Sequence, residues 1–197
     1  MTDQQILDAF TTCDALCKGH FELTSGLHSD TYIQCARVLE HPRLTHELAV
    51  EAVARLPKEL TVDLVAAPAV GGILFGFAVG TALDKDLIFS ERVEGAMTFR
   101  RSFSIPRGAQ VLVAEDVVTT GGSVRELIGL IKDADAHPVA VVSMVDRGKN
   151  PDFGCAYYPL ITLETPSWDP KDCDLCGSGQ KITAPGSRAL AKNGVNP

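Results

Sequence analysis

The sequence is short of basic residues and has no long uninterrupted apolar run. Its 197 residues carry 18 lysines and arginines against 25 aspartates and glutamates. The net charge of -7 argues against a general nucleic-acid or membrane-surface binder and favours a small-molecule partner. The longest apolar stretch, residues 65–83, is broken by Pro68 and several glycines, and no charged segment with an apolar core follows Met1. We therefore expect a cytoplasmic protein without a signal peptide or a membrane span.

Two common nucleotide-binding motifs are also missing. The sequence has neither Gly-x-x-x-x-Gly-Lys nor Gly-x-Gly-x-x-Gly, so P-loop NTPases and dinucleotide-dependent enzymes are disfavoured. The length suits one domain, residues 1–197, with a full hydrophobic core.

Six cysteines without a secretory signal indicate reduced thiols. Cys173 and Cys176 form a single Cys-x-x-Cys pair, which is half of a usual zinc set, and Cys155 could add a third thiolate. The pattern favours a structural turn and leaves a zinc or redox site open. We expect His20 and His28 at the surface, where they would be neither ligands nor bases.

The N-terminal residues predict one amphipathic helix over residues 3–18, ended by Gly19. Ile6, Phe10, Cys13 and Cys17 recur at spacings of four, three and four. This spacing predicts that both cysteines belong to the core.

The chemistry is concentrated in residues 111–128, which predict a buried strand, a turn rich in hydroxyls and glycine, and a helix. Glu115 and Asp116 come at the carboxyl end of the strand, where they can accept hydrogen bonds from vicinal hydroxyls or hold Mg²⁺ through water. The turn at residues 119–123, here named the phosphate turn, offers backbone amides and the positive end of a helix dipole. The stretch therefore predicts a monophosphate site beside a polyol site.

This arrangement resembles the 5-phosphoribosyl-1-pyrophosphate (PRPP) signature of type I phosphoribosyltransferases. In that family the acidic pair binds the ribose hydroxyls and the turn binds the 5-phosphate. The resemblance implies an α/β fold with a parallel sheet flanked by helices, and Mg²⁺ that is held mainly by PRPP with no direct protein ligand. It implies that PRPP contacts Glu115, Asp116, Val117, Val118, Thr119, Thr120, Gly121, Gly122 and Ser123.

Residues 19–34 alternate around a Ser-Gly turn and predict a hairpin. The segment resembles the N-terminal hairpin of orotate phosphoribosyltransferases, although edge-strand packing is the simpler alternative. The matching residues are Gly19, Phe21, Leu23, Ser25, Gly26, Ser29 and Tyr32. The resemblance implies that Ser25 and Tyr32 line the pocket for the base. Many members carry a lysine where this chain has Thr24.

A second part of the base pocket is predicted after the strand at residues 138–145. In the orotate family an arginine that follows this strand meets the carboxylate of the base, and Arg147 matches it. A guanidinium suits a planar carboxylate, whereas the alternative is a surface turn of Asp146 and Arg147. Thr119 is expected to contribute from the phosphate turn. The end of the chain, through Arg188, resembles a Cys-x-x-Cys…Pro-Gly-Ser-Arg tail of a bacterial branch of that family.

Gly71 and Gly72 open a predicted helix after a short strand at residues 62–67. By resemblance they bind the pyrophosphate of PRPP through backbone amides, since Gly71 stands where the family usually has a lysine. Close helix–sheet packing through Gly72, Gly76 and Gly80 is compatible with that role.

Basic residues gather in residues 91–105, where alternation up to Ile105 predicts a hairpin arm with Gly95 near its turn. A solvated face is the simple alternative, but the position matches the flexible lid of type I enzymes. Glu94, Ala96 and Met97 stand where lid cations are expected, and Arg100 and Arg101 could substitute. The resemblance implies a catalytic role for Glu115, Asp116, Arg92, Arg100 and Arg101, and it implies that Arg92 also contacts PRPP.

The resemblance as a whole implies a PRPP-binding core at about residues 41–149 and a small hood from about residues 1–40 and 150–188. It implies transfer of phosphoribose from PRPP to orotate, giving orotidine 5'-monophosphate in de novo pyrimidine biosynthesis, by a homodimer whose lid is shared between subunits. Two alternatives stay open: a phosphoribosyltransferase for another base, and a PRPP- or nucleotide-sensing module without turnover.

Overall fold

The computed structural model of the chain describes residues 1–23 and 25–185. Thr24 and the end of the predicted tail match, residues 186–188, lie outside the described residues. A central six-stranded sheet has the order β5-β4-β3-β6-β7-β8, and a separate two-stranded sheet pairs β1 with β2. The strands are β1 (Leu16–Glu22), β2 (His28–Ile33), β3 (Leu64–Pro68), β4 (Leu87–Val93), β5 (Ala96–Phe99), β6 (Gln110–Val118), β7 (His137–Asp146) and β8 (Ala156–Thr162).

Five strands of the central sheet run parallel and only the edge strand β5 is antiparallel. Helices cover both faces of the sheet. Successive residues of a strand point to opposite faces, so each strand contributes side chains to two cores. In β6, Leu112 packs with the core under α1–α4, and Val113 packs with the core under α5. The helices are α1 (Asp3–Thr12), α2 (Ala36–Leu39), α3 (Pro42–Ala54), α4 (Gly71–Leu83), α5 (Gly122–Asp133) and α6 (Asp174–Gly177). The predicted α/β class is confirmed, and none of the described helices is both long and apolar enough to cross a bilayer.

The predicted first helix is too long. It ends at Thr12, and Asp14 turns the chain with a φ of 53° before Ala15 and β1. Cys17 therefore lies on a strand opposite Tyr32 instead of on the helix. The pairing of β1 with β2 prevails over the helical spacing of the cysteines because a paired strand satisfies its backbone groups along the whole hairpin.

Two parts of the predicted hood pack against each other: the β1–β2 hairpin, here named the hood hairpin, and residues 163–185, here named the C-terminal segment. The hairpin turn falls at Ser25 and Gly26, as predicted, and Gly26 has a φ of 82°. The C-terminal segment pairs with both strands through bridges of Trp168 to His28 and of Thr183 to Phe21. β8 pairs with β7 in the central sheet.

The histidines of the hood hairpin are not at the surface. His20 is 3% exposed and His28 is 8% exposed, which corrects the expectation from the sequence. Both are covered because the C-terminal segment lies across the hairpin, a contact between residues about 150 positions apart that no local pattern reveals.

The predicted lid hairpin is present in part. β4 and β5 pair in antiparallel register around Glu94 and Gly95, both of which have positive φ, as two-residue hairpin turns require. The second strand ends at Phe99, whereas the alternation predicted an arm up to Ile105. Arg101 and Ser102 take positive φ and reverse the chain, and Phe103 and Ile105 pack on the core beside α5.

Candidate active site

The acidic pair lies on β6, two and three residues before its end, in the middle of the central sheet. Glu115 is 8% exposed and its Oε1 accepts a hydrogen bond from the amide of Asp116 at 3.1 Å. Asp116 Oδ1 accepts from the amide of Val117 at 2.9 Å. Burial, followed by the neighbouring charge of Asp116, raises the pKa of Glu115 well above its ordinary value, and burial raises the pKa of Asp116. Burial thus disfavours the charged forms of both carboxyl groups, even though each accepts a backbone hydrogen bond.

The phosphate turn joins β6 to α5 as the sequence predicted. Gly121 has a φ of 77°, and a Cβ there would lie 2.7 Å from the Phe153 ring, so only glycine fits on both counts. No side chain caps α5, and within the described residues the amides of Gly122, Ser123 and Val124 have no internal acceptor. Free amides at a helix N-terminus form an anion-binding site.

Arg125 holds the phosphate turn from outside. Its guanidinium donates to the carbonyl of Thr120 at 2.6 Å and to that of Asp152 at 3.4 Å, and lies 5.4 Å from the centre of the Phe153 ring. The sequence analysis missed this residue, because its role depends on Asp152 and Phe153, which come after the next strand.

The phosphate turn, Glu115 of the acidic pair and Arg92 of β4 border a pocket of about 230 Å³, here named the phosphate pocket. Arg92 on β4 reaches this pocket, where its guanidinium donates to Glu126 of α5 at 2.7 Å and to the carbonyl of Gly95. The pocket combines free amides, the Arg92 guanidinium and two carboxylates, those of Glu115 and Glu126. Its lining residues are Arg92, Glu115, Val117, Val118, Thr119, Thr120, Gly121, Gly122, Ser123, Val124 and Glu126.

The glycine pair at the start of α4 packs directly against the carboxylates. A Cβ on Gly71 would lie 2.2 Å from Asp116 Oδ2, and a Cβ on Gly72 would lie 3.0 Å from Glu115 Oε1. The peptide between Ala69 and Val70 is cis. A lysine at position 71 would therefore displace Asp116 in this arrangement, which gives a physical reason why this chain has glycine there. The predicted packing through Gly76 also occurs, since a Cβ on that residue would lie 2.9 Å from Ala67.

A second pocket, of about 460 Å³, lies on the other side of the phosphate turn and is here named the base pocket. It contains three of the four residues that the sequence analysis assigned to the base: Ser25, Thr119 and Arg147. Four separate segments form its wall, and no sequence pattern indicated Lys149 or the residues from the C-terminal segment. The full lining is Leu23, Ser25, Leu27, Thr119, Thr120, Arg147, Gly148, Lys149, Glu164, Thr165 and Ser167.

Arg147 is half-buried, and burial lowers its pKa. Its guanidinium donates to the hydroxyl of Thr165 at 3.1 and 2.5 Å and forms no ion pair within the described part of the chain. The neighbouring Asp146 is 1% exposed and accepts instead from the amides of Lys149 and Asn150. The alternative of a surface Asp-Arg turn is therefore wrong, and the guanidinium is available to an anion in the pocket.

Tyr32 lies near Arg147 without lining the pocket. Burial raises the pKa of its phenol, and the positive charge of Arg147 acts in the opposite direction. Its ring contacts that of Phe21 with centroids 5.7 Å apart. Cys35 connects this region to the acidic pair, since its Sγ lies 3.8 Å from the carbonyl of Asp116. The base pocket itself shares Thr119 and Thr120 with the pocket that Glu115 lines.

The other lid arginines are not in the phosphate pocket. The Arg101 guanidinium donates two hydrogen bonds to the carboxylate of Glu91, each 3.0 Å long, and lies 5.6 Å from the centre of the Phe89 ring. Glu91 and Arg92 are neighbours on β4 and point to opposite faces, so Arg101 lies on the α4 side. Arg100 is exposed.

Comparison with known proteins shows which class of protein this chain belongs to. A sequence model described as the phosphoribosyl transferase domain matches residues 37–158, which is more than half of the chain. The chain is 46% identical over 190 residues to the orotate phosphoribosyltransferase of Heliobacterium modesticaldum, across 95% of this chain and 100% of the relative. The chain therefore belongs to the orotate phosphoribosyltransferase family.

Solved structures confirm the type I fold. The crystal structure of orotate phosphoribosyltransferase from Aeropyrum pernix matches with a TM-score of 0.70 and 22% identity, over 81% of this chain and 94% of that one. The crystal structure of adenine phosphoribosyltransferase from Thermoanaerobacter pseudethanolicus matches with a TM-score of 0.56 and 17% identity, over 68% and 88%. Because both share the fold, the fold alone does not determine the base.

Proposed function

We propose that this chain transfers the 5-phosphoribosyl group of PRPP to orotate, giving orotidine 5'-monophosphate and pyrophosphate. The observation that carries the proposal is Arg147, a half-buried guanidinium without an ion-pair partner among the described residues, facing a pocket that shares Thr119 and Thr120 with the phosphate turn. A planar carboxylate such as that of orotate would pair with it. The reaction is a step of de novo pyrimidine synthesis.

The side chains act by positioning and by charge. We assign the 5-phosphate to the amides of the phosphate turn and the ribose hydroxyls to Glu115 and Asp116. Positive charge develops on the ribose as pyrophosphate leaves, and the carboxylates of Glu115 and Asp116 would stabilise it there. No protein nucleophile is needed. Arg92 is positioned to contact the departing phosphates, and Gly71 and Gly72 bring the start of α4 to the same place.

Mg²⁺ fits this site as an ion bound largely by substrate. The protein offers two adjacent carboxylates, and each already accepts an amide hydrogen bond, so the described residues here form no complete cage. Mg²⁺ commonly keeps waters and binds substrate phosphates with one or two carboxylates. When bound, it would neutralise charge on the leaving pyrophosphate.

We further propose a homodimer in which the lid reaches the neighbouring subunit. Leu74 and Phe77 on α4 are 53% and 68% exposed, and Phe77 lines a groove of about 530 Å³ that includes Phe89. Exposed apolar patches of this kind mark interfaces. Arg101 lies on this same face, so a partner docked on α4 would bring it, and Arg100 beside it, towards another active site. A Phe77→Asp variant should be monomeric by light scattering, and an unchanged dimer mass would exclude this face.

We also propose a cytoplasmic location, which the six free cysteines support. The partners are then the small molecules PRPP and orotate and a second copy of the chain, without nucleic acid or membrane.

The direct test mixes the protein with PRPP, Mg²⁺ and orotate and follows the loss of orotate absorbance. Arg147→Ala should raise the KM for orotate by about 10- to 100-fold, the value of a charged hydrogen-bonded pair, and leave the KM for PRPP nearly unchanged. Arg107→Ala is the control, since that side chain is 85% exposed and pairs with Asp135 on the surface.

Two outcomes would replace the proposal. Turnover with a purine but not with orotate would identify a phosphoribosyltransferase for another base, in which Arg147 has no carboxylate to bind. PRPP binding without turnover on any base would favour a sensing module, as the glycine at position 71 in place of a lysine would suggest.

A further inference from the structure

The hood brings four metal-ligating side chains together at a place that lines neither pocket. His20 and His28 come from the two strands of the hood hairpin, and Cys173 and Cys176 come from the C-terminal segment. Their four ligand atoms all lie within 4.8 Å of one another. The Cys-x-x-Cys pair recognised in the sequence thus meets two histidines. Cys155 is not part of this cluster, because it packs beside α5 on the far side of the sheet.

The distances match a tetrahedral site. His20 Nε2 is 3.1 Å from His28 Nδ1, 3.5 Å from Cys173 Sγ and 3.7 Å from Cys176 Sγ. Cys176 Sγ is 3.2 Å from His28 Nδ1. Around a tetrahedral Zn²⁺, with bonds of about 2.3 Å to sulfur and about 2.0 Å to nitrogen, two nitrogens are about 3.3 Å apart and a nitrogen and a sulfur about 3.5 Å.

Hydrogen bonding alone does not satisfy the cluster. His20 Nδ1 lies 2.8 Å from the carbonyl oxygen of Gln180, which can only accept, so Nδ1 carries the proton and Nε2 of the neutral ring is bare. Nε2 has one lone pair, yet three groups approach it: His28 Nδ1, Cys173 Sγ and Cys176 Sγ. A cation at the centre uses that lone pair and those of the other three groups at once. A backbone carbonyl on the second nitrogen is also the usual support of a metal-bound histidine.

The C-terminal segment needs an anchor of this kind. Cys173 is its only buried residue, so the segment has almost no apolar core of its own. Among the described residues, four backbone hydrogen bonds tie it to the hairpin: two between Trp168 and His28, one from Thr183 to His20 and one from Glu22 to Thr183. Small elements without a core are commonly stabilised by a bound metal.

We propose that His20, His28, Cys173 and Cys176 bind a structural Zn²⁺ that fastens the C-terminal segment to the hood hairpin. Two thiolates and two neutral imidazoles balance the charge of one divalent ion, and sulfur ligands select Zn²⁺ over Mg²⁺ or Ca²⁺. All four positions are taken by protein, so the ion has no open site for catalysis. If the proposed function holds, the ion also fixes two walls of the base pocket, because Ser25 lies in the turn between the histidines and Thr165 precedes Trp168.

The first experiment measures metal in the purified full-length chain after dialysis against metal-free buffer. Elemental mass spectrometry should find about one zinc per chain. The zinc should be released when a mercurial reagent titrates the thiols. Cys176→Ser and His28→Ala should lose it. Cys13→Ser is the control, since that cysteine lies at the end of α1. His28→Cys should keep zinc, because a cysteine thiolate is a zinc ligand that replaces the imidazole at the same position of the chain.

Cobalt and fluorescence make the test independent of activity. Wild-type protein reconstituted with Co²⁺ should show the strong visible bands of a tetrahedral ion and a thiolate-to-cobalt band, both absent from Cys176→Ser. Trp168 is the single tryptophan of the chain and its backbone pairs with His28, so zinc removal should shift its emission and expose the segment to protease. Wild-type protein that binds neither zinc nor cobalt, or Cys176→Ser that keeps both, would overturn the site. Unchanged Trp168 emission after complete zinc loss would overturn the anchoring role.

Discussion

The phosphate pocket and the base pocket differ in how their residues come together. The phosphate pocket is formed mainly by one continuous piece of chain, β6, the phosphate turn and the first turn of α5. The base pocket takes its wall from the hood hairpin, the phosphate turn, the loop after β7 and the C-terminal segment. One site is built by local geometry, and the other by contacts between distant segments.

This difference has a functional consequence. Local geometry at a helix N-terminus survives changes elsewhere in the molecule, since the free amides belong to the same few residues. The base pocket depends on whether the hood is docked. We therefore expect damage to the phosphate pocket to affect PRPP, and damage to the hood to affect orotate selectively.

The largest effect is expected from Asp116→Asn. The change removes the charge that holds the ribose hydroxyls and stabilises the ribosyl cation, so kcat/KM for PRPP should fall by about 100-fold, the value of one or two charged hydrogen bonds. Steady-state kinetics with orotate saturating would measure it. Asp133→Asn, at the exposed end of α5, is the control. A rise of the same size in the KM for orotate would contradict the separation of the two pockets.

A smaller effect is expected from Gly71→Ala. The new Cβ would meet the Asp116 carboxylate at 2.2 Å, so either that side chain or the start of α4 must shift. We expect kcat/KM for PRPP to fall by about tenfold, because a misplaced charged group loses about 1.4 kcal/mol of transition-state binding.

Gly129→Ala is the matched control for that change. Gly129 lies inside α5, and a Cβ there has nothing within 4 Å among the described residues. It should leave kinetics unchanged and stabilise the fold by about 1 kcal/mol through helix propensity. If both alanine variants behaved alike, steric contact with Asp116 would not explain the glycine.

The contrast between the pockets also explains what the sequence could predict. The strand, the phosphate turn and α5 were predicted at the right place because each depends on neighbouring residues: apolar periodicity, glycine at positive φ, and a helix start. The choice of Gly71 could be noted in the sequence, but its cause is a carboxylate 45 positions later, and only the folded chain brings the two together.

The hood was harder for the same physical reason. His20 and His28 are polar residues on a two-stranded hairpin, and they are buried because the C-terminal segment crosses them. Arg147 could be predicted from its position after a strand, whereas its support by Thr165 could not. The first helix was predicted too long because helical spacing of cysteines cannot compete with the pairing of β1 and β2.

A still smaller effect should follow from Thr165→Val, which tests the hood side of the comparison. The hydroxyl of Thr165 accepts two hydrogen bonds from the Arg147 guanidinium, and valine keeps the shape without the acceptor. Freed from this contact, Arg147 should bind orotate less well, with a KM about fivefold higher and an unchanged KM for PRPP, as expected for one hydrogen bond. Thr162→Val at the exposed end of β8 is the control. A fivefold change in both KM values would mean that the hood and the phosphate pocket are coupled.

The smallest effect concerns stability. Burial raises the pKa of Glu115 well above its ordinary value, so the folded chain disfavours the charged form. In the unfolded chain the group ionises at about pH 4. The energetic cost of holding the charge is therefore absent below that pH, grows as pH rises, and is complete once pH exceeds the raised folded pKa.

Glu115→Gln should remove this cost while keeping the oxygen that accepts from the Asp116 amide. The ligand-free variant should melt a few degrees higher than wild type at neutral pH, at roughly 2–4 °C for each kcal/mol in a chain of this size, and the gain should vanish near pH 4. Its turnover should fall, since the ribose loses a carboxylate. The exposed Glu59→Gln should change the melting temperature by only about 1 °C. A variant that melts lower at neutral pH would mean that the Glu115 charge stabilises the fold, and the phosphate pocket would then be built without a stability cost.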